Sequence, residues 1–266
     1  MIQFNVFPGG VKRIVTFSYD DGNKNDFRLV ELFNKYGVKG TFHLNSLRYK
    51  GKTEDELDVY RKLYEGHEIS CHTVHHGWLD KMLPSSIVSE VLEDRKTLEH
   101  LAGYPVVGMS YPSGTFNDVA LEALRSCGIV YSRTTEKPIY PFGLPRDFLT
   151  WHPTCHHKNA EEYIGLFMSD LESEWRHPMF YIWGHSHELK TEEDWAKMES
   201  IVSRLAGSDK IWYATNIEIY NYIKAQRSLV VSADETIIYN PSAIPVWIEK
   251  DKTEKIMIGA GETVRL

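Results

Sequence analysis

Short apolar, β-prone runs alternate with helix-like segments along most of the chain, and this alternation limits the possible folds more than any other feature. The run 14–19 (IVTFSY) is predicted to be a buried strand, and 26–37 a helix that ends at a glycine. The same order recurs to about residue 226. Repeated units of this kind place parallel strands inside and helices outside. Seven or eight units in about 225 residues favour an α/β fold with a distorted (β/α)7-type barrel over an open sheet.

The remaining elements follow from the same patterns. Further strands are predicted at 38–44, 67–70, 106–111, 129–134, 179–184 and 211–215, and further helices at 54–66, 85–103, 118–128, 160–175, 192–207 and 216–226. Residues 135–158 are predicted to be irregular. From residue 228 onward, β-prone runs are separated only by turn residues. We therefore predict a barrel over 1–227 and a small β extension, packed on the barrel, over 228–266.

Charge and composition exclude several classes of partner. The chain has 30 basic and 37 acidic residues, a net charge of −7, which argues against nucleic acid because phosphate binding requires a basic face. No apolar run is long enough to span a membrane, and the first ten residues lack the parts of a signal peptide. A cytoplasmic protein is expected, or an extracytoplasmic one if a leader precedes this sequence. Three cysteines indicate no disulfide framework, and the oligomeric state is left open.

Polar residues follow two of the predicted strands at the point where each strand ends. Asp20 and Asp21 come after 14–19, and His72 comes after 67–70, with His76 four residues later. In a (β/α) barrel such strand ends meet at one face, and histidines at i and i+4 on a helical turn point the same way. Asp-Gly is also a common turn, which is the simpler interpretation of the first pair. One carboxylate with two imidazoles makes a three-ligand site for a divalent metal.

Taken together, these segments resemble the polysaccharide deacetylase family, also known as the NodB homology domain or carbohydrate esterase family four. Residues 18–22 (SYDDG) resemble its T-F-D-D-G motif, and 72–76 (HTVHH) its H-[ST]-x-x-H motif. Residues 110–114 (SYPSG) partly match R-x-P-Y-G, and 183–185 (WGH) match the final L-x-H. The resemblance covers about residues 10–225.

This resemblance implies a hydrolase that removes acetyl groups from a carbohydrate, either an N-acetylated amino sugar or an O-acetylated polysaccharide. Asp21, His72 and His76 would hold the metal, with zinc preferred over cobalt, nickel or manganese. The metal would activate a water molecule and polarise the acetyl carbonyl. Asp20 would be the general base and His185 the general acid. His187 is the alternative acid, because on an extended strand it would point to the same face as His185.

Further site residues are implied, together with two departures from the family pattern. The backbone N–H of Ser113 would stabilise the oxyanion, and Tyr111, Trp151 and His156 are expected to line the cleft. The family's third-motif arginine is replaced by Ser110. The aspartate that supports the catalytic histidine has no clear counterpart; the nearest candidate is Asp147, which could equally be a helix cap.

Two other functions remain open. One is a C–N hydrolase that acts on a small amide or ureide. Some relatives of that kind lack the metal histidines, so His72 and His76 weigh against it. The other is a carbohydrate-binding protein without catalytic activity, for which we would expect the loss of Asp20 or of the late histidine.

Overall fold

The computed structural model describes residues 1–169 and 178–266. The strands are β1 Ile2–Gln3, β2 Arg13–Asp20, β3 Gly40–Leu44, β4 Glu68–Cys71, β5 Gly108–Ser110, β6 Tyr131–Arg133, β7 Cys155–His156, β8 Met179–His185, β9 Ile211–Tyr213, β10 Val230–Val231, β11 Ile237–Tyr239, β12 Val246–Lys250, β13 Glu254–Ile258 and β14 Thr263–Arg265. The helices are α1 Asp26–Tyr36, α2 Glu54–Leu63, α3 Pro84–Ala102, α4 Asp118–Ser126, α5 Glu161–Met168, α6 Glu192–Leu205 and α7 Asn216–Arg227. The part of the predicted helix 160–175 from residue 170 onward lies outside the described residues.

A curled parallel sheet forms the centre of the molecule, with the strand order β6-β5-β4-β3-β2-β8-β7, and β9 pairs with the first half of β2. All eight residues of β2 are buried, as expected for a strand with neighbours on both sides. The β2–β8 register runs from Ile14 opposite Met179 to Asp20 opposite His185. Two residues that were predicted to act together are therefore placed side by side by the sheet itself.

The segment from Trp151 to His156, which contains β7, links β6 at one edge of this sheet to β8 near the other edge. On one side, Trp151 N–H donates to the Ser132 carbonyl of β6 at 3.1 Å. On the other side, β7 pairs with β8, with His156 opposite Trp183. The sheet is thereby curled into the distorted (β/α)7-type barrel that the strand–helix alternation predicts. The prediction that 135–158 is irregular misses β7, because two residues are too few for a hydrophobic period to detect.

The helix ends agree closely with the sequence because their signals are local. α1 stops at Gly37, which has a φ of 66°, and α3 starts with Pro84 and stops at Gly103, which has a φ of 77°. Thr191 and Thr215 begin α6 and α7 with capping boxes.

Strands β10 to β14 lie in the region predicted as a β extension. They contribute to two three-stranded sheets with the orders β1-β12-β13 and β10-β11-β14. Ile238, Ile248 and Ile258 form the buried centre between them. The first strand of the chain, β1, pairs with β12, so residues at both ends of the sequence build this unit.

The sequence predicts neither a membrane-spanning segment nor a disulfide framework, and the structure bears on both. None of the described helices is long and apolar enough to cross a membrane. Cys71, Cys127 and Cys155 are all buried, and each is a free thiol.

Candidate active site

Backbone strain is concentrated at the carboxyl ends of the barrel strands. φ is 76° at Asp21, 62° at Thr73, 54° at His76 and 55° at Ser113, in a region that residues other than glycine rarely adopt. Among the described residues, only three other non-glycine residues have positive φ, and these lie between positions 235 and 252. Strained backbone persists where the surrounding structure enforces it, which is typical of functional sites.

Asp21, His72 and His76 meet at this end of the barrel. Oδ1 of Asp21 lies 3.7 Å from Nε2 of His72 and 3.7 Å from Nε2 of His76. One donor atom from each residue falls within 4.8 Å of the other two. Around a tetrahedral ion with ligand bonds of about 2.1 Å, neighbouring donors lie about 3.4 Å apart. The separation of the three donor atoms therefore fits a single divalent metal ion.

The environment of His72 favours the form that binds metals. Its Nδ1 lies 2.9 Å from the carbonyl oxygen of Ser110, which can only accept, so Nδ1 carries the hydrogen and Nε2 keeps a lone pair. Nε2 is buried and has no hydrogen-bond partner among the described residues. Burial lowers the pKa of His72 and so favours the neutral ring. A buried acceptor without a partner is costly, and a metal ion would satisfy it.

Asp20 lies next to this trio and is held as an anion. Its Oδ1 accepts a hydrogen bond from Ser110 Oγ at 3.0 Å, and its Oδ2 pairs with the guanidinium of Arg133. Burial alone would raise the pKa of Asp20. Arg133, His72 and other nearby groups outweigh burial and hold that pKa well below its usual range. The carboxylate is therefore charged at any pH at which the protein would be assayed.

Arg133 contacts Asp20 in place of the third-motif arginine, whose position is occupied by Ser110. It reaches Asp20 from the end of β6, one strand further along the sheet, and its guanidinium stacks over the Trp183 ring at 4.4 Å. Sequence reasoning missed this residue. The signal was present, since Arg133 stands at the carboxyl end of the predicted strand 129–134, where functional side chains of a barrel collect.

We expect Arg133→Met to destabilise the protein by about 3–5 kcal/mol, because it leaves the Asp20 carboxylate buried and unpaired. Chemical denaturation would measure the loss. The double variant Arg133→Met/Asp20→Asn is the control, and it should regain most of the lost stability since no buried charge remains. If the double variant is as unstable as the single one, the ion pair is not the cause.

His185 lies on the other side of Asp20. Its Nε2 is 4.0 Å from Asp20 Oδ2, and its Nδ1 is 3.5 Å from Oε2 of Glu188. Burial opposes the protonated ring, but Glu188 and Asp20 outweigh it, so the pKa of His185 is raised. His187 is more exposed and lies 3.7 Å from Asp21 Oδ2. Of the two histidines, His185 therefore has the environment that favours a protonated ring.

Sequence reasoning also missed Glu188. This residue contacts His185 in the way that the resemblance implies for an aspartate. It accepts from His156 Nε2 at 2.8 Å and pairs with Lys158 at 2.6 Å. Asp147 does not take this role. It accepts from the N–H of Leu149 at 2.9 Å and pairs with a surface arginine, as a cap does.

Two residues predicted to line the cleft are instead part of the core. Trp151 is fully buried, with its ring against Tyr131, Phe148 and Tyr181. Tyr111 is also buried and donates its hydroxyl to the Leu149 carbonyl. Their side chains do not form a cleft wall, because strand-end aromatics can turn inward as readily as outward.

His156 and Ser113 are also residues predicted for this site, and the structure places them in different surroundings. His156 is half-buried and contacts Glu188 rather than facing an open cleft. Ser113 is exposed at the end of β5, where its strained backbone forms part of a short turn.

A search against family models matches residues 9–132 to the polysaccharide deacetylase model. Residues 9–132, just under half of the chain, are therefore similar to the polysaccharide deacetylase family. This region contains the three candidate metal ligands, Asp20 and Ser113. Arg133, His185 and Glu188 lie beyond it.

A curated relative supports the same assignment. The peptidoglycan-N-acetylglucosamine deacetylase of Bacillus cereus is 24% identical over 119 residues, which cover 44% of this chain and 54% of that protein. The match thus spans about half the length of the relative.

Two solved structures of this family share the fold. One, described as a predicted polysaccharide deacetylase from Mycobacterium smegmatis, has a TM-score of 0.59 at 16% identity, covering 83% of this chain and 93% of that one. The other is described as a pseudoenzyme of carbohydrate esterase family 4 from Bacillus anthracis. It has a TM-score of 0.54 at 14% identity, covering 78% of this chain and 65% of that one. Because a pseudoenzyme shares this fold, the fold alone does not establish catalysis. Catalysis is therefore inferred from the site residues.

Proposed function

We propose that this protein is a metal-dependent hydrolase that removes acetyl groups from a carbohydrate, with an N-acetylated amino sugar as the preferred substrate. The observation that carries the proposal is the trio Asp21, His72 and His76 beside the charged Asp20. The B. cereus relative, whose name specifies N-acetylglucosamine, supports the choice of an amide substrate. Zinc is the first choice of metal, since two imidazoles and a carboxylate suit it.

A divalent ion bound by the trio would lower the pKa of a coordinated water and polarise the acetyl carbonyl. Asp20 would accept the proton of the attacking water, because its Oδ2 lies 3.9 Å from Nε2 of His72, next to the proposed ligands. Arg133 and Ser110 fix the direction of the carboxylate and keep it ionised.

His185 would donate a proton to the leaving nitrogen or oxygen. Its Nε2 is close to Asp20, while its Nδ1 faces Glu188, which stabilises the charged ring. The backbone N–H of Ser113, an exposed residue, would bind the developing negative charge of the acetyl oxygen. The two proton-transfer residues thus have environments that favour opposite charge states, as acid–base catalysis requires.

We expect Glu188→Gln to move the alkaline limb of the pH–rate profile to lower pH. Activity needs a protonated His185, so it falls as pH rises through the pKa of that residue. Because Glu188 raises this pKa, its neutral replacement lowers the pH at which activity is lost. The check is kcat/KM against pH, with Glu90→Gln as control, since Glu90 pairs with the exposed His75 instead. An unchanged alkaline limb would exclude the assigned role.

The proposed reaction is tested by acetate release from N-acetylated chito-oligosaccharides and from acetylated xylan. Faster release from the chito-oligosaccharides would support the amide preference, and faster release from xylan would assign the site to esters. Release from neither, with hydrolysis of small amides, would favour the C–N hydrolase.

A further inference from the structure

Four basic side chains converge on a cavity at the amino-terminal end of β6, opposite the end that carries Arg133. Arg125, Arg146, Lys224 and Arg227 line a space of about 480 Å³ with Asp147 as the one acidic neighbour. This volume lies within the range of about 300–1,000 Å³ that is usual for ligand pockets. The chain as a whole has a net charge of −7, so a cluster with a net charge of +3 is not expected from composition.

The local structure aims these side chains at one place. Tyr220, Lys224 and Arg227 share one face of α7 because they are four and three residues apart. The Lys224 ammonium donates to the Tyr220 hydroxyl at 3.1 Å. Arg227 donates to the Pro145 carbonyl at 2.7 Å, and its guanidinium lies 5.5 Å from the centre of the Phe148 ring. The Tyr220 hydroxyl, the Pro145 carbonyl and the Phe148 ring, rather than carboxylates, therefore hold the two cations.

The charges of this cluster are largely uncompensated. Within 1–169 and 178–266, no ion pair joins Arg146, Lys224 or Arg227 to a carboxylate, and Arg125 pairs only with Asp147, at 3.2 Å. Cations elsewhere on the surface are commonly paired, for example Lys35 with Glu199 at 2.6 Å. A helix dipole favours cations in the last turns of α4 and α7, but it does not explain Arg146, which lies in a loop.

A second cavity adjoins this cluster and follows the chain to His152, near the carboxyl end of β6. It has a volume of about 680 Å³, shares Arg146 and Asp147 with the first, and reaches His152. Nδ1 of His152 lies 2.6 Å from the hydroxyl of Thr134, the residue that follows Arg133. The concave surface thus runs from the basic cluster to the carboxyl end of β6, where Arg133 contacts Asp20.

We propose that the cleft formed by Arg125, Arg146, Lys224 and Arg227 binds anionic groups of a polymeric glycan whose acetyl group occupies the active site. The glycan part of this inference rests on the proposed function, whereas the anion binding does not. Carboxylate and phosphate groups share the chemistry that guanidinium recognises. The substrate class is accordingly an acetylated polymer that carries one of these anions.

The test uses the full chain and two soluble N-acetylated polymers, carboxymethyl chitin, which is anionic, and glycol chitin, which is neutral. The triple variant Arg146→Gln/Lys224→Gln/Arg227→Gln should weaken binding of carboxymethyl chitin about tenfold, since each exposed charge contact contributes modestly. Its binding of glycol chitin should be unchanged. The matched control Lys96→Gln/Lys197→Gln/Arg204→Gln removes the same charge elsewhere and should have no effect. A thermal melt verifies that the triple variant is folded. Arg146→Gln alone, which changes one loop residue, is the variant least expected to disturb the fold.

The outcomes separate this inference from the proposed function. A selective loss of carboxymethyl chitin binding supports the cleft even if no polymer releases acetate. Competition by inorganic pyrophosphate but not by acetate would assign the cleft to phosphate rather than carboxylate groups. Equal binding of carboxymethyl chitin by the wild type, the triple variant and the control would overturn the inference, even if acetate is released.

Discussion

His72→Ala should remove both the bound metal and the activity. His72 is the buried member of the ligand trio, and its Nε2 has no hydrogen-bond partner among the described residues. Loss of residues that merely support metal ligands costs about 10- to 100-fold in affinity or activity, so the loss of a ligand should exceed that. Metal content by mass spectrometry and acetate release from chito-oligosaccharides would be measured on the same preparation.

His75→Ala is the matched control for this substitution. His75 belongs to the same motif, but its side chain is exposed and pairs with Glu90 at 2.6 Å. It should keep full metal content and activity. A His72→Ala protein that retains stoichiometric metal would show that the ligand set is wrong.

Asp20→Asn should keep the metal and lose turnover. The substitution leaves the trio untouched but removes the proton acceptor, and general-base catalysis contributes about 10²- to 10⁴-fold. The amide also leaves Arg133 without its anionic partner, so unfolding must be followed alongside kcat. A folded, metal-loaded variant with near wild-type kcat would exclude Asp20 as the base.

The sequence predicted the barrel because its strong signals are local and repeated. The local patterns of the buried run 14–19 and of the capped helix 85–103 are sufficient to predict a strand and a helix. The alternation of such strands and helices along the chain then predicts the topology. Asp20, Asp21, His72 and His76 could be found because each follows a strand, and strand ends of a barrel converge. The geometry now brings these four together, while their chemical roles stay predictions.

What sequence reasoning missed depends on contacts between distant parts of the chain. Arg133 contacts Asp20 across 113 positions. Its place at the end of a predicted strand makes it a candidate, but no local pattern indicates that it replaces the arginine absent at Ser110. Glu188 was overlooked because an aspartate was sought earlier in the chain. Trp151 was expected to line the cleft, but residue type and position do not reveal which way a side chain faces.

The most direct test of the proposed function is acetate release from N-acetylated chito-oligosaccharides, measured together with metal content, before and after chelation. We expect about one equivalent of divalent metal per chain, loss of activity with the chelator, and recovery on addition of zinc or cobalt. A protein that binds no metal, or one whose acetate release is unaffected by complete metal removal, would contradict the proposal.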